Sequence, residues 1–520
     1  MNEIKILWAD DEIDLLKPQI LFLQQKGYTV EPVSNGHDAL DKCKSEHFDL
    51  IFLDEHMPGI TGLETLSRIK AINKDIPVIM ITKNEEENIM EEAIGSQIAD
   101  YLIKPVRPNQ ILLAIKKITE NKKLISEKTA TSYRQEFQNI MMELNNGNDH
   151  KEWADLYQKL IYWELELDQA NNTEMQHILD MQKSEANKEF FKFISKNYLK
   201  WLKEPDKPGT PTLSYSLFKN KIIPLIDKDI PTIFLLVDNL RYDHYRKIES
   251  LLKEDFRKVS EDYFYSILPT TTQYSRNAIF SGLMPLEIDR KYPDKWFYDD
   301  ENAGKNLNEE FFMQEQFKRL GIQVKTSYTK ITNHQAGRAL EDNILNLLNN
   351  PFNAIVYNFV DMLSHARTEM EVLKELASDE AAYRSLTLSW FDHSPLLNAL
   401  QRLKEKKVRI IITSDHGTIR VQNPSKIIGD KATTTNLRYK TGKNLNYNEK
   451  EVFAVKNPEE ALLPKSNLSS SYVFAKEDYY FCYPNNYNHY VNYYRNTFQH
   501  GGVSIEEMIV PVAVFESKVI

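Results

Sequence analysis

Four short segments in the C-terminal part of the chain each end an apolar run in metal-binding side chains or hydroxyls. They are PTIFLLVD ending at Asp238, LPTTTQYSR around Thr272, IVYNFVDMLSH with Asp361 and His365, and IIITSDHG with Asp415 and His416; QHGGVSIEEMIVP adds His500. Carboxylates and imidazoles beside a threonine suit two-metal phosphoryl transfer. A threonine hydroxyl is a poor nucleophile until a bound cation lowers its pKa, and two zinc ions roughly 4 Å apart can hold the attacking and leaving oxygens. Mixed Asp/His ligation favours zinc or manganese over calcium, which prefers oxygen alone. The Asp-x-x-x-His spacing puts Asp361 and His365 on one face of a helical turn. Arg276, one turn beyond Thr272, either meets the substrate phosphate or makes a surface salt bridge.

A second constellation lies near the N-terminus. Asp10 and Asp11 follow the first predicted strand, Asp54 the third, Thr82 the fourth and Lys104 the fifth. In an open parallel sheet the carboxyl ends of the strands share one edge, so these groups converge there. The acids suit a hard divalent cation such as Mg²⁺, and the hydroxyl and ammonium suit a phosphoryl group.

The elements that must position these groups change character along the chain. Residues 1–121 alternate short apolar strands (IKILWA, DLIFLD, PVIMIT, DYLIK) with helical stretches, the pattern of a doubly wound parallel sheet. Residues 122–205 carry apolar positions at three- and four-residue spacing with no proline in the helical stretches, which predicts three or four antiparallel helices. EPDKPGTP marks a boundary, and residues 206–520 return to alternating strands and helices. Polar, tyrosine-rich stretches near 285–320 and 420–498 read either as a lid over the site or as packed surface loops. Their tyrosines suit either stacking on nucleobases or packing of a lid.

Length and composition agree with this division. A chain of 520 residues holds about three domains, and 42% hydrophobic with 27% charged residues is the balance of a globular protein. No apolar run reaches the roughly 20 residues of a membrane span, so no membrane insertion is expected. No signal peptide is expected either, because MNEIKILWADDE runs straight into a strand pattern. Two cysteines, Cys43 and Cys482, make no disulfide framework and point to a reducing, cytoplasmic compartment. The net charge of −10 argues against a broad basic nucleic-acid surface while leaving room for a small substrate held by metal ions.

The strand-end set of Asp10, Asp11, Asp54, Thr82 and Lys104 resembles the receiver domain of bacterial response regulators. The resemblance implies a flavodoxin-like, five-stranded parallel sheet with Asp54 as phospho-acceptor. It assigns Mg²⁺ to Asp10, Asp11, Asp54 and the backbone carbonyl of His56, phosphate sensing to Thr82 and Lys104, and the aromatic switch to Tyr101. The family has a cis peptide at the position of Lys104–Pro105.

The ordered C-terminal motifs resemble the alkaline phosphatase superfamily, and within it the PglZ-type domain, over roughly residues 210–520. The resemblance gives one Zn²⁺ to Asp361, His365 and His500 and the second to Asp238, Asp415, His416 and Thr272. In PTTTQYSRNAIFSG the nucleophile is Thr272, with Thr271 its close competitor. The whole chain, receiver, helical bundle and alkaline-phosphatase-like α/β domain, is similar to PorX-type response regulators, which are associated with control of type IX secretion.

That resemblance implies a phosphorylation-regulated, zinc-dependent phosphodiesterase acting on cyclic or linear oligonucleotides. The alternative is an adaptor that keeps the metal site but signals by binding a sigma factor or secretion component. Phosphomonoesterase is a further possibility, whereas a sulfatase would need a Cys/Ser-x-Pro-Ser-Arg segment that the sequence lacks. A histidine kinase would supply the phosphoryl group to Asp54, and the phosphorylated form would be a homodimer. No basic helix-turn-helix output is present.

Overall fold

The structure is a computed structural model. It describes residues 4–73, 76–83, 98–298, 306–358, 360, 379–430, 433–465, 467 and 469–519, with 119–125 described as backbone only. The chain divides into two compact units, Met1–Ser132 and Tyr133–Ile520.

In the first unit, strands β1 (Lys5–Ala9), β2 (Thr29–Val33), β3 (Leu50–Asp54), β4 (Val78–Thr82) and β5 (Asp100–Ile103) form one parallel sheet in the order β2-β1-β3-β4-β5. This is the flavodoxin-like order. β3 and β4 are buried at every position, as their unbroken apolar runs require for strands covered on both faces. One face packs against α2 (Gly36–Ser45) and α3 (Gly62–Ile72), the other against α1 (Lys17–Gln25) and the start of a long helix, α4 (Pro108–Asn145). Gly62 opens α3 where no side chain fits, since a Cβ there would lie 2.3 Å from the carbonyl oxygen of Asp54.

The second unit begins in α4 and continues through α5 (His150–Gln169) and α6 (Thr173–Lys203). Asn172 caps α6, and α5 starts at a capping box in which Asp149 accepts from the Glu152 amide while Glu152 accepts from that of Asp149. The helices are not a free-standing bundle. Trp153 and Phe190 pack edge-on at 5.3 Å between ring centroids, and Phe190 stacks on Tyr265 at 6.3 Å. Tyr265 also donates to the carbonyl of His150, and the Tyr198 hydroxyl accepts from the Leu268 amide. Tyr265 ends the strand Phe256–Tyr265, so the aromatic face of the helices packs on the main sheet of this unit.

That sheet is six-stranded and mixed. Its strands are β6 (Thr232–Val237), β7 (Phe256–Tyr265), β8 (Thr326–Ile331), β9 (Phe352–Tyr357), β10 (Arg409–Thr413) and β11 (Ile509–Ser517), in the order β7-β11-β10-β6-β9-β8. β10, β6, β9 and β8 run parallel, while β11 is antiparallel to both β10 and β7. Helix α7 (Tyr242–Asp255) follows β6. Residues 420–498 are more than surface loops: short strands form two three-stranded sheets around Ile427, Val452, Val473, Ala475 and Phe481. No described helix is long and apolar enough to cross a membrane.

Candidate functional site

In the second unit, β6 and β10 are neighbours in parallel register, with Leu236 opposite Thr413. Two residues further along each strand stand Asp238 and Asp415, so the register brings the two carboxylates to the same sheet edge. Asp238, Asp415 and His416 are buried, and one potential ligand atom from each lies within 4.8 Å of the others. Thr272 opens the turn after Thr271, and its Oγ lies 3.3 Å from Asp238 Oδ1 and 3.2 Å from His416 Nε2. Thr271 Oγ is buried and has no hydrogen-bond partner among the described residues.

Both histidines are oriented through Nδ1. His416 Nδ1 is 3.0 Å from the carbonyl of Gly417 and His500 Nδ1 is 3.2 Å from that of Thr270. A ring that donates from Nδ1 presents Nε2 as its lone-pair nitrogen, which is how backbone carbonyls prepare metal-binding imidazoles. The two rings stack at 4.3 Å between centroids and 20° between planes. Asp361 and His365 lie outside the described residues.

Arg276 departs from the expectation of a surface salt bridge. It is fully buried rather than at the surface, and its partners are the candidate ligands themselves: it pairs with Asp238, Asp415 at 2.9 Å and Glu309 at 3.6 Å, and donates to Asn358 at 3.1 Å. Burial pushes the Asp415 carboxyl up, but Arg276, His416 and the Asn239 amide outweigh it and hold it below the usual carboxylate range. Asn239 adopts φ +61° to aim that amide at Asp415 Oδ1, 3.2 Å away. Sequence reasoning missed Asn358, Glu309 and Asn239. Asn358 carries the same signal as the aspartates, directly following an apolar strand, whereas Glu309 carries none.

In the first unit, Asp54 and Thr82 are the last residues of β3 and β4, and Lys104 follows β5. Lys104 Nζ sits 3.0 Å from Asp10 Oδ2 and 3.0 Å from Asp54 Oδ1. The second Asp54 oxygen, Oδ2, is buried without a hydrogen-bond partner among the described residues. Burial dominates Asp54 and, with Asp10 and Asp11, pushes its carboxyl up to about 6 against the opposing pull of Lys104. Asp10, Asp11 and Glu12 form a second cluster with metal-ligand spacing. Glu12 was not anticipated, nor was Glu55, which accepts from the Thr82 hydroxyl at 2.5 Å. His56 is exposed beside them, Tyr101 is exposed, and Lys104–Pro105 is cis.

Residues 217–515, more than half of the chain, match the model of the BREX system PglZ alkaline phosphatase-like domain. The chain belongs to the PglZ alkaline phosphatase-like family. Ahead of this PglZ domain, residues 6–116 match the response regulator receiver domain and residues 123–202 the PorX response regulator linker domain. The three together are the architecture of PorX-type response regulators.

Two curated relatives of this PglZ-family chain each match about a fifth of its length. The transcriptional regulatory protein ResD of Bacillus subtilis is 34% identical over 115 residues, 22% of this chain and 48% of ResD. ZraR of Klebsiella oxytoca is 35% identical over 114 residues, 22% of this chain and 26% of ZraR. The chain thus spans less than half the length of these relatives. Among solved structures, the chemotaxis protein CheY4 of Vibrio cholerae is 29% identical, with a TM-score of 0.22, covering 22% of this chain and 98% of CheY4. A two-component response regulator from Clostridium difficile is 28% identical with a TM-score of 0.22, covering 23% of this chain and 97% of that one.

Proposed function

We propose that the chain is a two-component response regulator whose phosphorylation at Asp54 controls dimerisation and a zinc-dependent phosphodiesterase output. The position of Thr272 Oγ, within 3.3 Å of both Asp238 and His416, is the observation that carries this reading. The mixed N/O donor set of Asp238, Asp415 and His416 fits zinc, and the all-oxygen cluster of Asp10, Asp11 and Glu12, with Asp54 joined to Asp10 through Lys104, fits Mg²⁺ held by Asp10, Asp11 and Asp54. Asp361, His365 and His500 would complete a second zinc site, and the His56 carbonyl the Mg²⁺ site. Zinc, when bound, lowers the pKa of a ligated hydroxyl and neutralises phosphoryl oxygens.

Thr272 Oγ forms a bond to phosphorus as the bond from phosphorus to the leaving alcohol breaks, and its proton passes to Asp238 Oδ1. The alcohol takes up a proton from solvent. Water then cleaves the phosphothreonine: the hydroxyl of the water joins phosphorus, the proton on Asp238 returns to the Thr272 oxygen, the remaining water proton goes to solvent, and a phosphomonoester is released. Arg276, held by two ligand carboxylates, orients them rather than the substrate. In the receiver, a histidine kinase supplies the phosphoryl group, Thr82 and Lys104 bind it, and Tyr101 turns inward as the face around β5 rearranges and pairs with a second copy. Cyclic or linear oligonucleotides are the substrate class, the compartment is cytoplasmic, and the process served is type IX secretion.

The test is hydrolysis of bis-p-nitrophenyl phosphate beside p-nitrophenyl phosphate by the zinc-loaded chain and its Thr272→Val variant, with and without a small-molecule phosphodonor. Zinc-dependent diester cleavage that the variant loses supports the reading. Zinc uptake without turnover under any condition overturns it in favour of an adaptor that binds a sigma factor or secretion component.

A further inference from the structure

The linker helix α6 reaches the histidine side of the candidate site through one residue. Asn187, 6% exposed, uses both ends of its amide on a single turn: Nδ2 donates to Glu506 Oε2 at 2.9 Å and Oδ1 accepts from the Ile505 amide at 2.9 Å. Ser504 caps that turn, accepting from the Glu507 amide and donating to Glu507 Oε2 at 2.7 Å.

Glu507 then branches to both histidine loops. Its carboxylate accepts from the Gly502 amide at 2.9 Å, two residues beyond His500, and is gripped by Arg438 at 2.6 and 3.1 Å. Its backbone carbonyl accepts from the Gly417 amide at 3.1 Å, one residue beyond His416. The packing here leaves no slack, because a Cβ on Gly417 would lie 2.0 Å from the Glu506 carbonyl oxygen. Glu507 and Arg438 are fully buried, so each of these hydrogen bonds is shielded from competing water.

We propose that Asn187 is a positioning residue of the metal site, acting through the 504–508 turn and Glu507 to hold His416 and His500 in their stacked arrangement. The linker thereby completes the catalytic-type domain, and a shift of α6 along its axis would move both histidine loops together. The catalytic consequence rests on the proposed zinc chemistry; the positional claim rests on the hydrogen bonds alone.

Amide hydrogen exchange on the full-length chain tests the two separately. Asn187→Ala and the near-isosteric Asn187→Asp, which keeps the acceptor for Ile505 but loses the donor to Glu506, are compared with wild type and with Gln182→Ala. Gln182 is the control: it is an equally buried amide on α6 whose partners, Tyr133 and the Phe137 carbonyl, lie within the linker. In EDTA-treated protein, segments 415–418 and 500–508 should exchange about tenfold faster or more in both Asn187 variants, since Asn187→Asp loses one buried hydrogen bond and Asn187→Ala loses two. Gln182→Ala should leave those segments at the wild-type rate. Wild-type exchange there in both Asn187 variants, or a rise no larger than in Gln182→Ala, overturns the proposal. Zinc retention against a chelator is read in parallel, and Asn187→Ala should lose the ion at a lower chelator concentration than wild type or Gln182→Ala. If wild type takes up no zinc while the exchange pattern holds, the positional role stands and the zinc phosphodiesterase reading falls.

Discussion

Arg276 meets one oxygen of Asp415 with two of its nitrogens, donating from Nε at 3.0 Å and lying in ion-pair contact through Nη2 at 2.9 Å, while the other oxygen of that carboxylate takes the amides of Asn239 and His416. The carboxylate is thus fixed in rotation before any cation arrives, and the guanidinium supplies the positive charge that two buried acids require. Removing one member of a buried pair leaves the other uncompensated, which costs about 3–5 kcal/mol. Arg276→Met should therefore lower the melting temperature of EDTA-treated protein sharply and that of zinc-loaded protein less, since zinc replaces part of the lost charge. An unchanged melting temperature in EDTA would contradict this account.

The two adjacent threonines should separate cleanly. Thr272→Val is expected to reduce kcat for diester cleavage by about 10²-fold or more, the scale of losing a positioned reacting group. Thr271→Val, which removes a hydroxyl without a described partner, should leave kcat within about threefold. Reversal of the two results would move the nucleophile by one residue.

Asp54 gives a pH dependence of unusual sign. Its folded pKa of about 6 stands above the ordinary 3.8, so the unfolded chain ionises first and stability is lost as pH rises from about 4 to 6. Metal-free Asp54→Asn should be more stable than wild type at pH 7, on the order of 1 kcal/mol once solvent near the sheet edge is allowed for, and Mg²⁺ should narrow the gap. Urea midpoints at pH 4 and pH 7 measure it. The same variant should show neither phosphoryl uptake nor a phosphodonor-dependent dimer in sedimentation.

Glu164 behaves in the opposite way. Burial pushes its carboxyl up, but Arg384, 2.6 Å away, and Lys183, 2.8 Å away, outweigh it and hold the group at about 2. Because the folded value lies below the ordinary 4.5, this contribution is present above pH 4.5 and fades as pH falls to 2. Glu164→Gln should destabilise the second unit at pH 7 and converge on wild type near pH 2. Parallel denaturation curves at all pH values would show that the ion pair contributes nothing.

Much of the fold could be read locally. Strands β3, β4 and β6 are continuous apolar runs because they are covered on both faces, and the helices of the linker show apolar spacing because one stripe of each is buried. The same signal located Asp54, Asp238 and Asp415, each at or just beyond the end of such a run. Residues 420–498 resisted this reading: their strands are only two to six residues long and mix tyrosines with polar residues at buried positions, so no clear period marks them.

Residue types at strand ends, and with them the expectation of phosphoryl chemistry, could be read from the sequence alone, since the apolar period that announces a strand is a property of neighbouring residues. Only the tertiary structure decided that Thr272 rather than Thr271 faces Asp238 and His416, that Arg276 is buried among carboxylates, and that Asn187 ties the linker to the histidine loops. Each of those outcomes joins residues far apart in the chain through sheet register and packing. A charged or polar side chain carries no local mark of the buried partner that will neutralise it.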